Sequence, residues 1–428
     1  VTTTPQNISC GIDFGTSNST CAIARDGKVT LVPLEGDSLT LPSAIFFCEN
    51  GRVLFGREAT LSYIEGEDGR LMRGLKSVLG TELMGERTII KGQARSFVEI
   101  LSLYIKHLKD KAEATVGGAI MDVVFGRPVH FHDSNPTADQ ESQGTLEEIA
   151  QSIGFKNIRF QYEPIAAAFA HEQNIADEKL SLVIDIGGGT SDFTVIKVSR
   201  QRSHTANRAS DILGTSGIRL GGTNFDQRLS MQVFMPYLGL GTQYRSDFNH
   251  DKLLQVPTAT YTSLSDWSKV NSVQTDKAIR ETQRILRQAI EPPKLERLRH
   301  VQEHKLGHAL LQEVEQAKIA LTSHPEVRSD LAKLGLEFGV TIKAQEFDRI
   351  VMEYIHKITA SMHECIKRAG VSLQDIELVI LTGGSSELPI INRLVREYCP
   401  AATISKDNKF GSVGLGLAYN SRTVFKVH

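Results

Sequence analysis

Three glycine-rich segments, set far apart, constrain this chain more than any other feature: GIDFGTSNST at 11–20, VIDIGGGTSDFTVI at 183–196 and LVILTGGSSELP at 378–389. Each follows a run of aliphatic and β-branched residues, so each reads as a buried strand running into a tight glycine turn. The first two share a plan, Asp at the strand end, then Gly, then Thr and Ser, which implies an internal duplication with one copy per half of the chain. Glycines at 15, 187, 188 and 189 let backbone amides approach an anion with no Cβ in the way. Successive amides form a concave anion nest. Hydroxyls of Thr16, Ser17, Thr190 and Ser191 add donors, and Asn18 is counted with the first turn as a nucleotide-binding residue. Asp13 and Asp185 stand just upstream, where a carboxylate can hold Mg2+ through the waters that ion keeps. A hairpin turn with a capping hydroxyl would explain any one segment alone. Two matched segments and a third Gly-Gly-Ser point to a nucleotide clamped between two phosphate-holding turns.

At 428 residues the chain is long enough for two to four domains and a large core. Lys+Arg 48 against Asp+Glu 50 gives a net charge of −2, so no bulk electrostatic case exists for nucleic acid or for a membrane. The cysteines are Cys10, Cys21, Cys48, Cys365 and Cys399. With an odd count and no Cys-x-x-Cys pairing, they imply packing thiols in a reducing cytoplasm. No apolar run reaches the ~18 residues that span a bilayer. The start, VTTTPQNISC, lacks the basic and apolar regions of a signal peptide, and 1–7 reads as a disordered tail.

Along the chain, ISCGIDF, STCAIA and VTLVPL read as strands, with Asp26-Gly27 turning the second into the third. AIFFC at 44–48 and GRVLFG at 51–56 read as another hairpin. Over 94–116, Phe97, Ile100, Leu101, Tyr104, Ile105 and Leu108 fall on one helical face. A strand at 121–129, a helix at 146–155, a strand at IRFQYEP and a helix at IAAAFAHE follow. Such alternation argues for an α/β layered architecture. The theme repeats from Leu180, with helices over 312–323, 345–369 and 388–398 and weak signals over 239–275. Gly411, Gly414, Gly416 and Ala418 would let a last helix, 411–424, pack closely on the first lobe.

The three segments resemble phosphate one, phosphate two and the adenosine loop of the actin-like ATPase superfamily. Within it the chain is similar to the seventy-kilodalton heat-shock chaperones, DnaK and its relatives. Supporting stretches are YEPIAAAFAH at 162–171, SGIRLGGTNFDQRL at 216–229 and EVEQAKIALTS at 313–323. The fit extends over about 8–420 and looks best to the short, YegD-type branch. The resemblance implies an actin-like ATPase fold: two lobes, each with a ribonuclease-H-like core, around a nucleotide cleft. Lobe I would be 8–178 plus 405–428, with an outer subdomain near 41–115. Lobe II would be 179–404, with an outer subdomain near 230–310.

It also implies roles. Lys76, in GLKSVLG, would support the γ-phosphate and the attacking water. Glu163, at a strand-to-helix corner, would hold metal-bound water, with Tyr162 in place of the family's asparagine. Asp185 and Thr190 would orient the water, and Asp192 would support the turn. Gly221 and Gly222 would cover the phosphates. Glu315, Lys318 and Thr322, spaced i, i+3, i+7, would grip ribose and adenine, and Gly383, Gly384 and Ser385 would approach them. Glu387 replaces the arginine usual in that loop, and Phe410 falls about where the family has aspartate. ATP/ADP and Mg2+ are the implied cofactors, and a protein partner or client is implied without nucleic acid or membrane. The chaperones' peptide-gripping domain is not expected, because the sequence ends after the ATPase part. Their interdomain-signalling arginine is replaced by Glu141-Ser142-Gln143.

His300, His304 and His308 recur every four residues, which a helix would stack on one face. Two could bind zinc, but their Glu, Lys, Arg and Gln neighbours favour a solvated face. Asp133, in a polar loop, reads as a cap. The expectation is thus an ATP-binding, slowly hydrolysing, chaperone-like switch. The alternatives are a small-molecule kinase of the same superfamily, with a carboxylate base facing an acceptor pocket, and a non-hydrolysing actin-like scaffold.

Overall fold

The structure, a computed structural model, describes residues 8–129, 131, 136–172, 175–204, 208–249, 251–405 and 411–427. The tail 1–7, Asp133 and Phe410 lie outside them. The chain divides into two compact units. The larger comprises Val1–Gly221, Ile358–Glu387 and Ile391–His428, and the smaller Gly222–Lys357 with Leu388–Ile390.

The larger unit carries the duplication. Its first copy runs β1 (Ile8–Phe14), β2 (Asn18–Arg25), β3 (Lys28–Leu31), α1 (Phe97–Val116), β4 (Asp122–Arg127), α2 (Pro136–Ser152), β5 (Asn157–Tyr162) and α3 (Glu163–Glu172). The second runs β6 (Lys179–Ile186), β7 (Ser191–Val198), β8 (Ile212–Ile218), α4 (Ala344–Ala369, of this unit from Ile358), β9 (Leu378–Thr382), α5 (Pro389–Tyr398, of this unit from Ile391), β10 (Thr403–Ile404) and α6 (Ser412–Phe425). The strand orders are β5-β4-β1-β2-β3 and β10-β9-β6-β7-β8, the same sequence of neighbours twice. In both copies an antiparallel meander leads and two strands are then added in parallel. Each copy also receives its long insertion at the same place, between the third strand and the first helix.

Local chemistry accounts for these elements. β1 and β9 are aliphatic runs buried on both faces, as strands in the interior of a covered sheet must be. Asp26 and Gly27 both take positive φ, 50° and 73°, the pair that a two-residue hairpin turn demands. Ser96 and Glu99 form a reciprocal capping box at the start of α1, and Gly117 ends it in the left-handed conformation. Of the expected apolar face, Ile100, Leu101, Tyr104, Ile105 and Leu108 are buried against the first sheet and Phe97 is half-buried.

The last helix of each copy crosses to the other. α6 packs on β1, β2 and β4, whereas α3 packs on β6, β7 and β9 as well as on its own strands, and the two helices lie against each other. The small residues of α6 permit this. A Cβ at Gly416 would stand 1.7 Å from the Ala166 carbonyl oxygen, and one at Gly11 would stand 2.4 Å from the Ala418 nitrogen. Ile165, Ala166, Ala167, Val183, Ile380 and Leu417 share one core cluster, so the two copies are joined by a common interior.

The smaller unit is mostly helical, with helices Asp276–Leu286, Pro292–Glu303 and Gly307–Ala320. Residues 239–275 are more structured than expected: a short hairpin, Gln243–Arg245 with Leu253–Gln255, then the helix Thr258–Leu264. The three histidines do not share a helix face. The helix carrying His300 ends at Glu303, Lys305 turns at φ 53°, and His308 lies buried in the next helix. His308 meets the Trp267 carbonyl and His300 the Leu334 carbonyl.

Candidate functional site

The two phosphate-type turns are equivalent positions of the two copies. Residues 15–17 join β1 to β2 and residues 187–190 join β6 to β7, with Asp13 opposite Thr20 and Asp185 opposite Asp192. Gly15 is crowded, since a Cβ there would stand 2.2 Å from the Asn18 carbonyl oxygen. Ser43 braces this turn: its hydroxyl donates to the Gly15 carbonyl at 2.6 Å and its amide to the Ser17 carbonyl at 2.8 Å. In the second turn the Gly187 amide donates to the Thr190 carbonyl at 3.0 Å. The Thr16 methyl lies 3.9 Å from where a Gly189 Cβ would be, so the turns face each other within one unit.

The third segment closes on the second turn. Gly383 takes φ 79°, and a Cβ there would stand 2.5 Å from Asp185 Oδ1. The Ser385 hydroxyl donates to the Gly187 carbonyl at 3.1 Å. Gly221 covers the turn from behind, where a Cβ would stand 2.7 Å from Gly188 backbone. Thr190 and Asn18 remain exposed.

Charge converges on these turns. Lys76 sits in a 3₁₀ turn, Leu75–Val78, entered through left-handed Gly74. Its Nζ donates to Glu163 Oε1 at 2.6 Å, with the two side chains only 11% and 13% exposed. Glu163 opens α3 beside Gly126, which leaves room for its stem: a Cβ there would be 3.2 Å from Glu163 Cγ. Burial and then repulsion from Glu163 push Asp13 up to about 7 despite Lys76. Burial, reinforced by Asp192, Glu163 and Asp13, holds Asp185 well above the usual carboxylate range. Burial works against the Lys76 ammonium, but Glu163 and Asp13 outweigh it and raise its pKa.

The donor set fits a dication. Asp13, Glu163 and Asp185 set three carboxylates against one ammonium, and burial first, with their mutual repulsion added, raises Asp13 and Asp185. Among the described residues no three Asp, Glu, His or Cys side chains are grouped to ligate one ion directly. Magnesium held through water needs a looser arrangement than that.

Of the residues expected at the base and ribose, Gly383, Gly384 and Ser385 belong to the larger unit, and Gly222, Glu315, Lys318 and Thr322 to the smaller. Lys318 is buried and engaged, donating to Asp226 Oδ2 at 2.7 Å and to the Gly222 carbonyl at 3.3 Å. Thr322 lies past the helix end at Ala320, with its hydroxyl on the Ile319 carbonyl, so the expected i, i+3, i+7 helical face stops at Lys318. Glu315 and Glu387 are half-buried.

Three residues with work here went unflagged in the sequence. Ser43 has no motif around it. Asp226 lies inside the quoted GGTNFDQRL stretch and could have been paired with a lysine by charge alone. Arg127 precedes a proline at a strand end and carries no signal of its own.

The family model described as "Hsp70 protein" matches residues 81–258 and 283–421. The chain is 25% identical over 437 aligned residues to a "Chaperone protein HscA homolog" from Aromatoleum aromaticum, covering 97% of this chain and 58% of that one. It is 26% identical to "Chaperone protein DnaK" from Methanothermobacter thermautotrophicus, over 91% of this chain and 55% of the relative. Against "Chaperone protein DnaK" from Thermotoga maritima it is 26% identical, over 95% and 58%. The chain thus spans a little over half the length of these relatives. No helix among the described residues is long and apolar enough to cross a membrane. The duplicated sheets are the actin-like ATPase fold, and a family match over more than half its length makes this chain a member of the Hsp70 family.

Proposed function

We propose that this chain is an ATP-binding, slowly hydrolysing switch of the chaperone type, with the nucleotide phosphates held between the turns at 15–18 and 187–190. The convergence of Lys76, Glu163, Asp13 and Asp185 on those turns is the observation that carries the reading. Backbone amides of Gly15, Gly187, Gly188 and Gly189, with hydroxyls of Thr16, Ser17 and Thr190, take the phosphate oxygens. Magnesium, held through water by Asp13, Glu163 and Asp185, neutralises charge on the phosphates when bound. Lys76 leaves part of its bond with Glu163 to hold a γ-phosphate oxygen and the attacking water. Asp185, with a carboxyl already biased towards a proton, and the exposed Thr190 hydroxyl orient that water. Attack at the γ-phosphorus breaks its bond to the bridging oxygen, ADP leaves with the electron pair, and the water proton is released by way of Asp185.

The halves 8–178 plus 405–428 and 179–404 would be the two lobes of the switch, and the bound nucleotide would set their arrangement. On the same reading Gly222, Glu315, Lys318 and Thr322 serve ribose and base, and Lys318 must then share its Asp226 partner with the nucleotide. A protein client or partner reads the nucleotide state.

The test is single-turnover hydrolysis of Mg-ATP by the purified protein with no acceptor added, separating nucleotide and phosphate. Slow conversion to ADP and free phosphate is the expected result. Tight binding with no conversion would overturn hydrolysis and leave a kinase awaiting its acceptor or a scaffold.

A further inference from the structure

Arg127 ends β4 and is paired in register with Tyr162, the last residue of β5 and the one before Glu163. A buried arginine is retained only where its donors are met, and this one is met on several sides. Its Nη1 donates to Gln143 Oε1 at 2.5 Å and its Nη2 to Asp139 Oδ2 at 2.5 Å, with the Arg127 and Asp139 side chains 13% and 16% exposed. Nε donates to the Pro128 carbonyl at 3.2 Å. The guanidinium also lies 5.4 Å from the centre of the Tyr162 ring and 5.3 Å from that of Phe131. Asp139 returns a bond to this segment by accepting from the Phe131 amide at 2.5 Å.

These contacts form a connected strut. It runs from α2, through Asp139 and Gln143, to the guanidinium, then to the Tyr162 ring and the corner that bears Glu163. Beyond it lies only the 2.6 Å bond from Glu163 to Lys76. Glu163 is the first residue of its helix, so its direction is set by the backbone at Tyr162. The pairing of β4 with β5, a bond from the Tyr162 amide to Gln161 Oε1 at 2.9 Å and the packing of Tyr162 on the core fix the backbone there, and the guanidinium faces the Tyr162 ring itself. Arg's planar fork can serve Asp139 and Gln143 while stacking on an aromatic face, which an ammonium cannot do at once.

We propose that Arg127 is a positioning residue for the reaction proposed above, holding Glu163 on Lys76 by stacking on Tyr162 while α2 anchors its guanidinium. The proposal rests on that reading of the site. Displacing a catalytic group by about 1 Å costs roughly a hundredfold in rate. A loosened corner is therefore expected to cost about tenfold or more.

The test is a double-mutant cycle in the full chain. Arg127→Met and Tyr162→Leu are each combined with Glu163→Gln. Tyr162→Leu removes the ring while leaving the ion pair with Asp139, so it keeps the test open if Arg127→Met folds poorly. Each is expected to slow the single-turnover rate constant about tenfold or more at unchanged amplitude, and to slow the Glu163→Gln protein no further. Arg127→Lys should recover part of the loss. Equal slowing in both backgrounds, or lost amplitude with an intact rate constant, would overturn the proposal. If the unaltered protein turns over no ATP, the functional reading falls by itself. The same cycle read in the thermal midpoint of the nucleotide-free protein then decides on Arg127: non-additive midpoints support the strut, and additive ones sink it.

Discussion

Asp13→Asn should make the nucleotide-free protein more stable while removing its response to Mg-ATP. In the folded chain, burial and the Glu163 charge lift Asp13 from 3.8 to about 7. A carboxyl raised on folding holds its proton more tightly in the native state, so its contribution to stability falls as pH rises from near 4 and levels off above about 7. Three pKa units at 1.36 kcal/mol each set a ceiling of about 4 kcal/mol on this penalty. Asp13 is only half-buried and its attraction to Lys76 is lost with the charge, which reduces the expected gain to about 2 kcal/mol at pH 8. At about 2 °C per kcal/mol for a domain of this size, Tm should rise about 4 °C at pH 8. At pH 4.5 the native Asp13 is already protonated, and the gain should shrink to about a quarter of that. The assay is thermal unfolding of both proteins at the two pH values, with and without Mg-ATP. A destabilised Asp13→Asn protein at pH 8, or a gain that ignores pH, would refute the charge-surplus account of the site.

Four further outcomes follow from named residues. Lys76→Ala should leave ATP binding nearly intact and slow single-turnover hydrolysis roughly a hundredfold or more; unchanged turnover would remove Lys76 from the mechanism. Gly416→Val should destabilise by about 3 kcal/mol or more in a urea titration, because its Cβ would stand 1.7 Å from the Ala166 carbonyl oxygen. Gly144→Ala, mid-helix with nothing within 4 Å of the new Cβ, should stabilise by about 0.5–1 kcal/mol in the same urea titration. Arg208→Met should cost about 3–5 kcal/mol in that assay, because Arg208 is fully buried between Glu172 and Asp211, and while Asp211 keeps its pair with Arg202, the buried Glu172 loses its own; a second change, Glu172→Gln, should recover part of it.

The sequence was most legible where structure is local. A run such as LVILT followed by Gly-Gly forces a buried strand into a turn, and the spacing from Phe97 to Leu108 can bury one face only as a helix. Both appear within a few residues of where the pattern places them. The smaller unit was harder to read because its elements are short and held by distant partners. The strand at 243–245 exists through its pairing with 253–255 and a bridge to Ala289. The break between His300 and His308 depends on Lys305, a residue with no intrinsic preference for positive φ. At the site, the glycines and Asp13 and Asp185 announce themselves by pattern. Lys76 and Glu163 lie 87 positions apart and were assigned only through resemblance. Lys318 is assigned to ribose and adenine only through resemblance, and its pairing with Asp226 is one that no helical spacing could reveal.

The duplication explains why so much like charge can be kept together. Because both copies have the same strand order, Asp13 and Asp185 occupy equivalent strand ends, and each interacts with Lys76 and Glu163. Their mutual repulsion favours any motion that parts them. What opposes it is the exchange of last helices: α6 from the second copy fills the first sheet, and α3, whose first residue is Glu163, fills the second. The approach of Gly416 to Ala166 leaves no slack in that crossing. A frame with larger residues there would hold the helices farther apart and let the carboxylates relax. The small residues of α6 and the raised Asp13 are therefore two ends of one arrangement, in which tight packing of the core keeps like charge together.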